Sequence, residues 1–430
     1  MSKKILLISP LEDFLLTPKE FPPLGILYLS SFLKKNNYEV KCLHGNPDDI
    51  NEDYDFYGIS SSTPQYSKSK KFLKKIKEIN PSAKIILGGA HTTSSKCIDE
   101  ALKDGFDYVV KGQGEKALLS IIQGNESHGV VEGINLNNEE INNLFPDREA
   151  LDMKDYGYPL EGGRAATIIT SRGCPYDCAF CANSCRKISF INPDSVLKEV
   201  DILINKYGFN RLLFLDDSFT LNKKRLISIT NSLKDYKIKY RCYARADNSA
   251  DENLLNLMLE SGCVELGVGI ESGSQKILTL MNKHTTVENN INFIQQTQNM
   301  GMSVNSFIMV GLPGESEKTI EDTRNFMKKA KPHRFGYNIF VPYPGSPIAE
   351  KYDSPFTNGQ YAGKSFRDFI TLYDMPYEKA VTKAKTIDEC FVSTPDLSRE
   401  QIVDTYHKEF EKFVEITGFD PRKRGDRNQE

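Results

Sequence analysis

Short apolar runs alternate with amphipathic stretches along residues 1 to about 125. The runs are continuously apolar, which is typical of strands that are buried on both faces of a parallel sheet. Five strand–helix units in this length predict an α/β domain of the flavodoxin-like (Rossmann-type), doubly wound kind. The predicted strands cover residues 4–9, 39–43, 56–60, 84–87 and 108–110, with helices at 24–36, 68–79, 98–103 and from 115 onward.

The alternation resumes at Ala165 and continues to about Ile348. Six successive strand–helix units with right-handed crossovers predict a full or partial TIM-like barrel, and six units correspond to a partial (β/α)6 one. In such barrels the chemistry lies in the loops after the strands. Asp194 and Asp251 are predicted to cap two of the helices. The predicted strands cover residues 166–170, 211–215, 239–243, 264–269, 304–310 and 337–341.

The length of 430 residues agrees with more than one domain, because it exceeds what a single core usually supports. Residues 126–163 break the alternation, contain an asparagine-rich stretch and end in Glu161-Gly162-Gly163. We predict a first domain over 1–135, a linker over 136–163, a barrel over 164–350 and a small, mainly helical C-terminal region over 351–430.

Composition excludes several classes of protein. The 55 Lys and Arg against 58 Asp and Glu give a net charge of −3, which supplies no electrostatic reason to expect a nucleic-acid partner. No run approaches the roughly 18 apolar residues that span a bilayer, and the first apolar stretch is too short for a signal peptide. Nine cysteines, with four of them between Cys174 and Cys185, indicate metal or redox chemistry in a reducing compartment. We therefore expect a cytoplasmic protein.

The strongest signal is the loop that follows the first predicted barrel strand, with Cys174, Cys178 and Cys181. Three thiolates in a C-x3-C-x2-C spacing can hold three irons of a cubane cluster and leave the fourth iron open to a small molecule. Cys185 could instead close the site as a fourth ligand, which would give an iron–sulfur electron carrier or a zinc-stabilised binding protein. The closed alternatives are disfavoured because Arg186 stands where a ferredoxin run has Pro, and because the sequence has no second cysteine pair.

This loop resembles the signature of the radical S-adenosylmethionine (SAM) enzymes, which also suits Tyr176 and Phe180 between the cysteines. Further segments are similar to the subgroup that carries an N-terminal cobalamin-binding domain, and the resemblance covers about residues 3–350. These segments are Pro22-Pro23-Leu24-Gly25, Leu87-Gly88-Gly89-Ala90-His91-Thr92, Val110-Lys111-Gly112-Gln113-Gly114-Glu115 and Pro146-Asp147-Arg148.

The resemblance implies that SAM binds at the ends of successive barrel strands. A carboxylate after the second strand, Asp216 or Asp217, suits the ammonium group of SAM. The guanidinium of Arg245 suits its carboxylate, although a salt bridge to Asp247 is the alternative. Glu271 and Ser272 are expected to hydrogen-bond the ribose hydroxyls. The fifth strand, which ends at Gly311, resembles the family's glycine-bearing strand behind the adenine. The expected SAM contacts are Tyr176, Phe180, Asp216, Asp217, Arg245, Glu271, Ser272 and Gly311.

Flavodoxin-like sheets bind ligands at the carboxyl edge of their strands. Hydroxyls, glycines and free backbone amides at this edge suit a nucleotide-like tail, and the resemblance implies the tail of cobalamin. The Asp-x-His-x-x-Gly loop of many cobalamin proteins is absent, and His44 follows the wrong strand. Cobalamin is therefore expected base-off, without a protein histidine on cobalt, and a vestigial domain is the alternative. The expected contacts are Ser61, Ser62, Thr63, Gly88, Gly89, His91, Gly112 and Gly114.

The resemblance implies an enzyme that uses a [4Fe–4S] cluster and an external flavodoxin- or ferredoxin-type electron donor to cleave SAM to a 5′-deoxyadenosyl radical. The expected outcome is cobalamin-dependent methyl transfer to an unactivated carbon of a small molecule. The alternatives are a radical SAM enzyme that works without cobalamin, and one that catalyses rearrangement or ring formation without methylation. Phe366, Phe369 and Tyr373 are candidates for lining the substrate site, although helix packing also explains them.

Overall fold

The computed structural model describes residues 3–12, 17–183, 185–249, 251–351, 390 and 392–426. Phe366, Phe369 and Tyr373 lie outside the described residues. Across the described part of the chain, no helix is both long and apolar enough to cross a membrane.

The first unit is a six-stranded parallel sheet with the strand order β2-β1-β3-β4-β5-β6. The flavodoxin-like prediction is confirmed, and β6 is an additional strand that the sequence analysis did not predict. The strands are β1 (Lys4–Pro10), β2 (Glu39–Gly45), β3 (Phe56–Ser60), β4 (Lys84–Gly88), β5 (Tyr108–Lys111) and β6 (Gly129–Glu132). The helices are α1 (Leu24–Lys35), α2 (Tyr66–Ile79), α3 (Ser95–Asp104) and α4 (Gly114–Gln123).

The apolar run of β1 explains why this sheet is covered on both faces. Successive side chains of a strand point to opposite faces. Ile5 and Leu7 pack in the cluster formed with α1 and α4, whereas Leu6 and Ile8 pack in the cluster formed with α2 and α3. All four side chains are buried, so a polar residue on either face of β1 would lie in a core.

The second unit is an open, seven-stranded sheet. Six of its strands are parallel and adjacent in chain order, which confirms the partial barrel, and β7 pairs antiparallel with β8 at one edge. The strands are β7 (Tyr158–Leu160), β8 (Gly163–Ile168), β11 (Arg211–Phe214), β12 (Lys239–Ala244), β13 (Cys263–Glu271), β14 (Ser303–Val310) and β15 (Arg334–Ile339), and the short pair β9 (Ser171–Arg172) and β10 (Ser189–Phe190) frames the cysteine loop.

Helices connect the barrel strands and pack on their outer side. The helix that contains Asp194 is capped by Asn192 instead, because Pro193 takes the first helical position and Asn192 accepts the Ser195 N–H at 2.8 Å. Asp251 caps its helix as predicted. The helices are α5 (Asn138–Asn142), α6 (Pro193–Asp201, continued by a π-helical turn over Ile202–Lys206), α7 (Lys223–Leu233), α8 (Ala246–Ser249), α9 (Glu252–Glu260), α10 (Gln275–Leu280), α11 (Val287–Asn299), α12 (Glu317–Ala330), α13 (Pro347–Lys351) and α14 (Arg399–Thr417).

The segment predicted as a linker, residues 136–163, packs against both units. Asp147 accepts a hydrogen bond from Ser30 and pairs with Lys34, both on α1, at 2.6 Å each. The next residue, Arg148, pairs with Glu199 on α6. Apolar residues of the segment and of α1 also belong to the large barrel core. Hydrogen bonds, ion pairs and apolar contacts of this segment therefore connect the two units.

Candidate functional site

The carboxyl ends of strands from both sheets border one cavity of about 950 Å³. The first sheet contributes residues that follow β3, β4 and β5, and the barrel contributes residues that follow β9, β11 and β15. This volume is typical of small-molecule and cofactor sites. We call it the interdomain cavity, and its walls include Thr63, Gly89, Gly112, Gly173, Cys185, Asp217 and Tyr343.

A smaller cavity of about 270 Å³, which we call the inner recess, reaches into the first sheet. At Gly88 a Cβ atom would lie at an ordinary van der Waals distance, 3.8 Å, from its nearest neighbour, in Val110, so a small side chain fits there. Gly89, Gly112, Gln113 and Arg172 line both cavities, which therefore adjoin. The walls of the recess include Gly25, Gly58, Ile86, Gly88, Gly114 and Leu118.

Most of the residues predicted to contact cobalamin lie on these walls. The four glycines 88, 89, 112 and 114 line the inner recess, and Ser62 and Thr63 line the interdomain cavity. Ser61 and His91 lie behind the walls instead. Ser61 donates its hydroxyl to the Ser62 carbonyl at 2.9 Å, and the His91 N–H donates to the Ser61 carbonyl at 2.9 Å. Neither residue lines the two cavities, and their contact with cobalamin stays a prediction.

Two histidines of the first domain pack against tyrosine rings. The ring of His91 stacks on Tyr66 with 4.0 Å between centroids, and burial lowers its pKa to about 3, which keeps the ring neutral. His44 stacks on Tyr156, and burial lowers its pKa to about 4. No histidine of the described chain lines either cavity. The absence of a protein histidine on cobalt stays a prediction.

Cys174, Cys178 and Cys181 lie in the loop between β9 and β10. Burial raises the pKa of Cys174 and of Cys181, and a backbone hydrogen bond opposes the rise in each case. The charge on Cys178 raises the pKa of both cysteines further. The backbone N–H of Asn183 donates to the sulfur of Cys181 at 3.5 Å, a contact that stabilises a thiolate.

Cys185 lies beside Cys174, whose N–H donates to the Cys185 carbonyl at 3.0 Å. Its thiol donates to the Lys187 carbonyl at 3.3 Å. Burial raises its pKa, and the next influences are the charges of Asp217 and Arg172. Cys185 is on the wall of the interdomain cavity, and the set of three cysteine ligands stays a prediction.

Asp216 holds the start of the cysteine loop. It is 1% exposed and accepts four hydrogen bonds from Thr170 and Ser171, two from backbone N–H groups and two from hydroxyls, at 2.5–3.1 Å. Burial raises its pKa, which these donors oppose. Of the two carboxylates predicted for the SAM ammonium, Asp217 is therefore the one that faces the cavity, where the side chain of Asn183 donates to it at 2.8 Å.

Arg245 lies against the cysteine loop, as a SAM-binding role requires. Its guanidinium lies 3.6 Å from the ring centroid of Tyr176, and its Nη1 lies 3.8 Å from the sulfur of Cys178. The salt bridge to Asp247 that was the alternative is present, with Nε and Oδ1 3.1 Å apart. Arg245 therefore brings a partly neutralised positive charge next to the cysteines.

Glu271 forms a buried ion pair that the sequence analysis missed. Its Oε1 lies 2.7 Å from Nζ of Lys283, and that ammonium lies 5.6 Å from the ring centroid of Phe180. A Cβ at Gly269 would lie 2.3 Å from this carboxylate oxygen, so the glycine makes room for the pair. Lys283 follows α10 in a loop without a recognisable motif, and only the fold brings it to the strand end.

Ser272 and Gly311 face packing partners and not a cavity. The Ser272 hydroxyl lies 3.2 Å from that of Thr323 on α12. A Cβ at Gly311 would lie 2.8 Å from Val392, and its N–H donates to Glu315 at 2.5 Å. The ribose and adenine contacts of these two residues stay predictions.

The donor set of the loop fits an iron–sulfur cluster. Nowhere in the described chain do three His, Cys, Asp or Glu side chains converge closely enough to hold a single metal ion. A cluster is a larger body that takes soft thiolates at separate corners, with hydrogen bonds to the sulfurs that tune it. The cysteine trio, the Asn183 amide and Arg245 supply these features.

Two family models match the chain. The Radical SAM superfamily model matches residues 168–327, which hold the cysteine loop and the barrel strand ends. The B12 binding domain model matches residues 17–122, which hold most of the inner recess. The chain carries a radical SAM domain and a B12-binding domain. The resemblance inferred from the sequence is thus confirmed.

Relatives of this radical SAM protein span most of its length. It is 28% identical over 381 residues to an uncharacterised methyltransferase of Pyrococcus horikoshii, covering 82% of each chain. It is 26% identical over 369 residues to the anaerobic magnesium-protoporphyrin IX monomethyl ester cyclase of Rubrivivax gelatinosus, covering 77% of this chain and 66% of the relative.

A solved structure shares the fold. The radical SAM methyltransferase TsrM of Kitasatospora setae, determined with cobalamin and a [4Fe–4S] cluster bound, matches with a TM-score of 0.71 at 15% identity. The match covers 98% of this chain and 90% of TsrM. The α/β first domain and the partial barrel of this radical SAM protein are therefore an architecture that the two proteins share.

Proposed function

We propose that this radical SAM protein is a cobalamin-dependent methyltransferase that acts on an unactivated carbon of a small molecule. The observation that carries the proposal is the glycine-walled recess that opens into the cavity beside the cysteine loop. The recess suits the nucleotide tail of cobalamin, and the interdomain cavity suits the rest of the cofactor together with a substrate. The similarity to a protein named as a methyltransferase supports the same reading.

Each part of the site has a proposed task. When bound, the reduced cluster supplies the electron that cleaves SAM, and cobalamin supplies a carrier for the methyl group. Cys174, Cys178 and Cys181 hold the cluster, and Asp216 keeps their loop in place. Asp217 binds the ammonium group of SAM, and Arg245 binds the carboxylate of SAM. Lys283 orients Glu271 toward the ribose of SAM. The two domains exclude water from the cavity between them.

The decisive experiment follows the methyl group. The protein is reconstituted without oxygen with iron, sulfide and hydroxocobalamin, reduced, and given SAM with a trideuterated methyl group. We expect 5′-deoxyadenosine, S-adenosylhomocysteine and labelled methylcobalamin. A protein that holds iron but binds no cobalamin and forms no S-adenosylhomocysteine would contradict the proposal.

A second candidate is a radical reaction without methyl transfer. A relative named as a cyclase, at 26% identity, favours it. The same experiment separates the two, because this candidate releases 5′-deoxyadenosine together with labelled methionine, and no label reaches cobalamin. For either reaction we propose an external one-electron donor of the flavodoxin or ferredoxin type. The cytoplasmic location stays a prediction.

Filling the inner recess is expected to release cobalamin and leave the cluster in place. Gly88 ends β4, is not in the left-handed backbone region and has room for a side chain that would enter the recess. We expect Gly88→Val to weaken hydroxocobalamin binding at least about tenfold, or about 1.4 kcal/mol. Visible absorbance titration measures this, and iron content checks the fold. Gly88→Ala is the matched control, with a smaller effect, and a valine variant of unchanged affinity would argue against the recess as the tail site.

Removing the Lys283 ammonium is expected to weaken SAM binding. Lys283→Met keeps the stem but leaves the buried Glu271 carboxylate without its partner at 2.7 Å, so the carboxylate is no longer oriented. We expect SAM affinity to fall about tenfold, or about 1.4 kcal/mol, with the iron content unchanged. Equilibrium dialysis with labelled SAM measures the affinity. Lys276→Met, an exposed position on α10, is the control, and equal affinities in the two variants would exclude a role for the pair.

A further inference from the structure

Arg172 bridges the two domains at the wall of the proposed cofactor sites. Its Nη1 lies 2.7 Å from Oε1 of Glu115 in the first turn of α4, and its guanidinium lies 4.9 Å from the ring centroid of Tyr28 on α1. Glu115 is 4% exposed and Tyr28 is 3% exposed. A buried carboxylate needs a partner, and a residue of the barrel supplies it to the first domain.

All three residues of this bridge line the inner recess. Arg172 also lines the interdomain cavity. The Tyr28 hydroxyl is buried and has no hydrogen-bond partner within the described part of the chain. A ligand in the recess would therefore touch the residues on which Arg172 rests.

In the sequence, only Gly173 separates Arg172 from Cys174, the first cysteine of the trio. Gly173 has φ +92°, and a Cβ there would lie 2.8 Å from the carbonyl oxygen of Cys185 and 2.9 Å from that of Lys187. The next N–H, that of Cys174, donates to the same Cys185 carbonyl at 3.0 Å. Because this backbone is tightly packed, a displacement of Arg172 is passed to the first cysteine of the trio.

Other contacts already hold the two domains together, so the bridge of Arg172 is not needed for that purpose alone. Asp147, with Ser30 and Lys34, and the ion pair of Arg148 with Glu199 connect the two units through the segment between them. Both members of the Arg172–Glu115 ion pair line the inner recess, and Arg172 also lines the interdomain cavity. Its position suits communication between the sites.

We propose that Arg172 is a positioning residue that couples the two sites. Cobalamin in the recess contacts Glu115 and Tyr28 and holds their side chains in place. These side chains position Arg172, which in turn holds the cysteine loop in the conformation that binds SAM. The inference rests on the proposed function, because both ligands must bind. Coupling between two binding sites is reciprocal, so SAM tightens cobalamin by the same factor as cobalamin tightens SAM.

Binding measurements test the coupling without turnover. Protein with an oxidised cluster, which does not consume SAM, is titrated with labelled SAM in the absence and presence of saturating hydroxocobalamin, and then in the reverse order. We expect each ligand to tighten the other about tenfold, in the usual range of such couplings. In Arg172→Met and in Glu115→Gln the ratio should fall close to one. Lys116→Met is the control, since Lys116 is next on α4 and pairs with Glu140 at 2.8 Å.

The outcomes separate this inference from the proposed function. Two ligands that bind the unchanged protein independently overturn the coupling and leave the proposed function standing. A protein that takes up no hydroxocobalamin overturns both. Arg172→Lys keeps the charge but loses the flat, forked guanidinium, so it serves if the methionine variant does not fold. Full coupling in both Arg172→Lys and Glu115→Gln would overturn the role of Arg172.

Discussion

Single replacement of Cys174, Cys178 or Cys181 by alanine is expected to abolish the cluster and SAM cleavage, whereas Cys185→Ala keeps both. In the proposed site each cysteine of the trio holds one iron, and losing one thiolate would leave a cluster that the loop cannot retain. We expect about four irons per chain in the unchanged protein and in Cys185→Ala, and close to none in the other three. Iron analysis after anaerobic reconstitution and release of 5′-deoxyadenosine measure the effect.

Cys185→Ala is the matched control because it removes a thiol from the same loop. Its sulfur donates to the Lys187 carbonyl, and its pKa is set by burial and by the charges of Asp217 and Arg172. The alternatives with a closed site give the opposite result. If Cys185→Ala loses its iron with the others, or if the purified protein holds zinc in place of iron, an electron carrier or a zinc-stabilised binding protein becomes the better assignment.

The sequence predicts the core of the fold well because its strands are continuous apolar runs. All five strands predicted for the first domain and all six for the barrel are present, with ends that shift by a few residues. The edge strands β6 and β7 were missed. They have four and three residues, and in β6 only Val131 is buried, so they carry no apolar run. Their place in the sheets depends on the neighbouring strand and not on their own pattern.

The cysteine loop and the glycines of the recess were also predictable, since spacing and strand-end position identify them. The direction of individual side chains was not. Ser61, Asp216 and Ser272 have the right residue type at the right strand end, yet their polar atoms bond within the protein. Lys283 and the bridge of Arg172 with Glu115 come from loops and helices far apart in sequence, and only the packing of the two units brings them to the site.

Arg148→Met is expected to cost about 3–5 kcal/mol of folding free energy, as is usual when one partner of a buried ion pair is removed. Arg148 Nη2 lies 2.6 Å from Glu199 Oε1, the side chains are 4% and 5% exposed, and the same nitrogen donates to the Thr167 carbonyl at 2.7 Å. The variant leaves a buried carboxylate and a buried carbonyl uncompensated. Equilibrium urea unfolding followed by circular dichroism measures the loss. Lys206→Met, which removes an exposed pair with Glu149, should cost no more than about 1 kcal/mol.

The pH dependence of this variant identifies the buried charge as the cause. Burial raises the pKa of Glu199, and Arg148 opposes that rise, so its removal moves the pKa higher still. A carboxyl whose pKa is higher in the folded than in the unfolded state holds more protons when folded, and stability then falls as pH rises above the ordinary value. The deficit of Arg148→Met should therefore be smaller at pH 5 than at pH 8. Adding Glu199→Leu should remove this pH dependence and recover part of the stability, whereas a deficit that is independent of pH and persists in the double variant would point to lost packing in place of an unpaired charge.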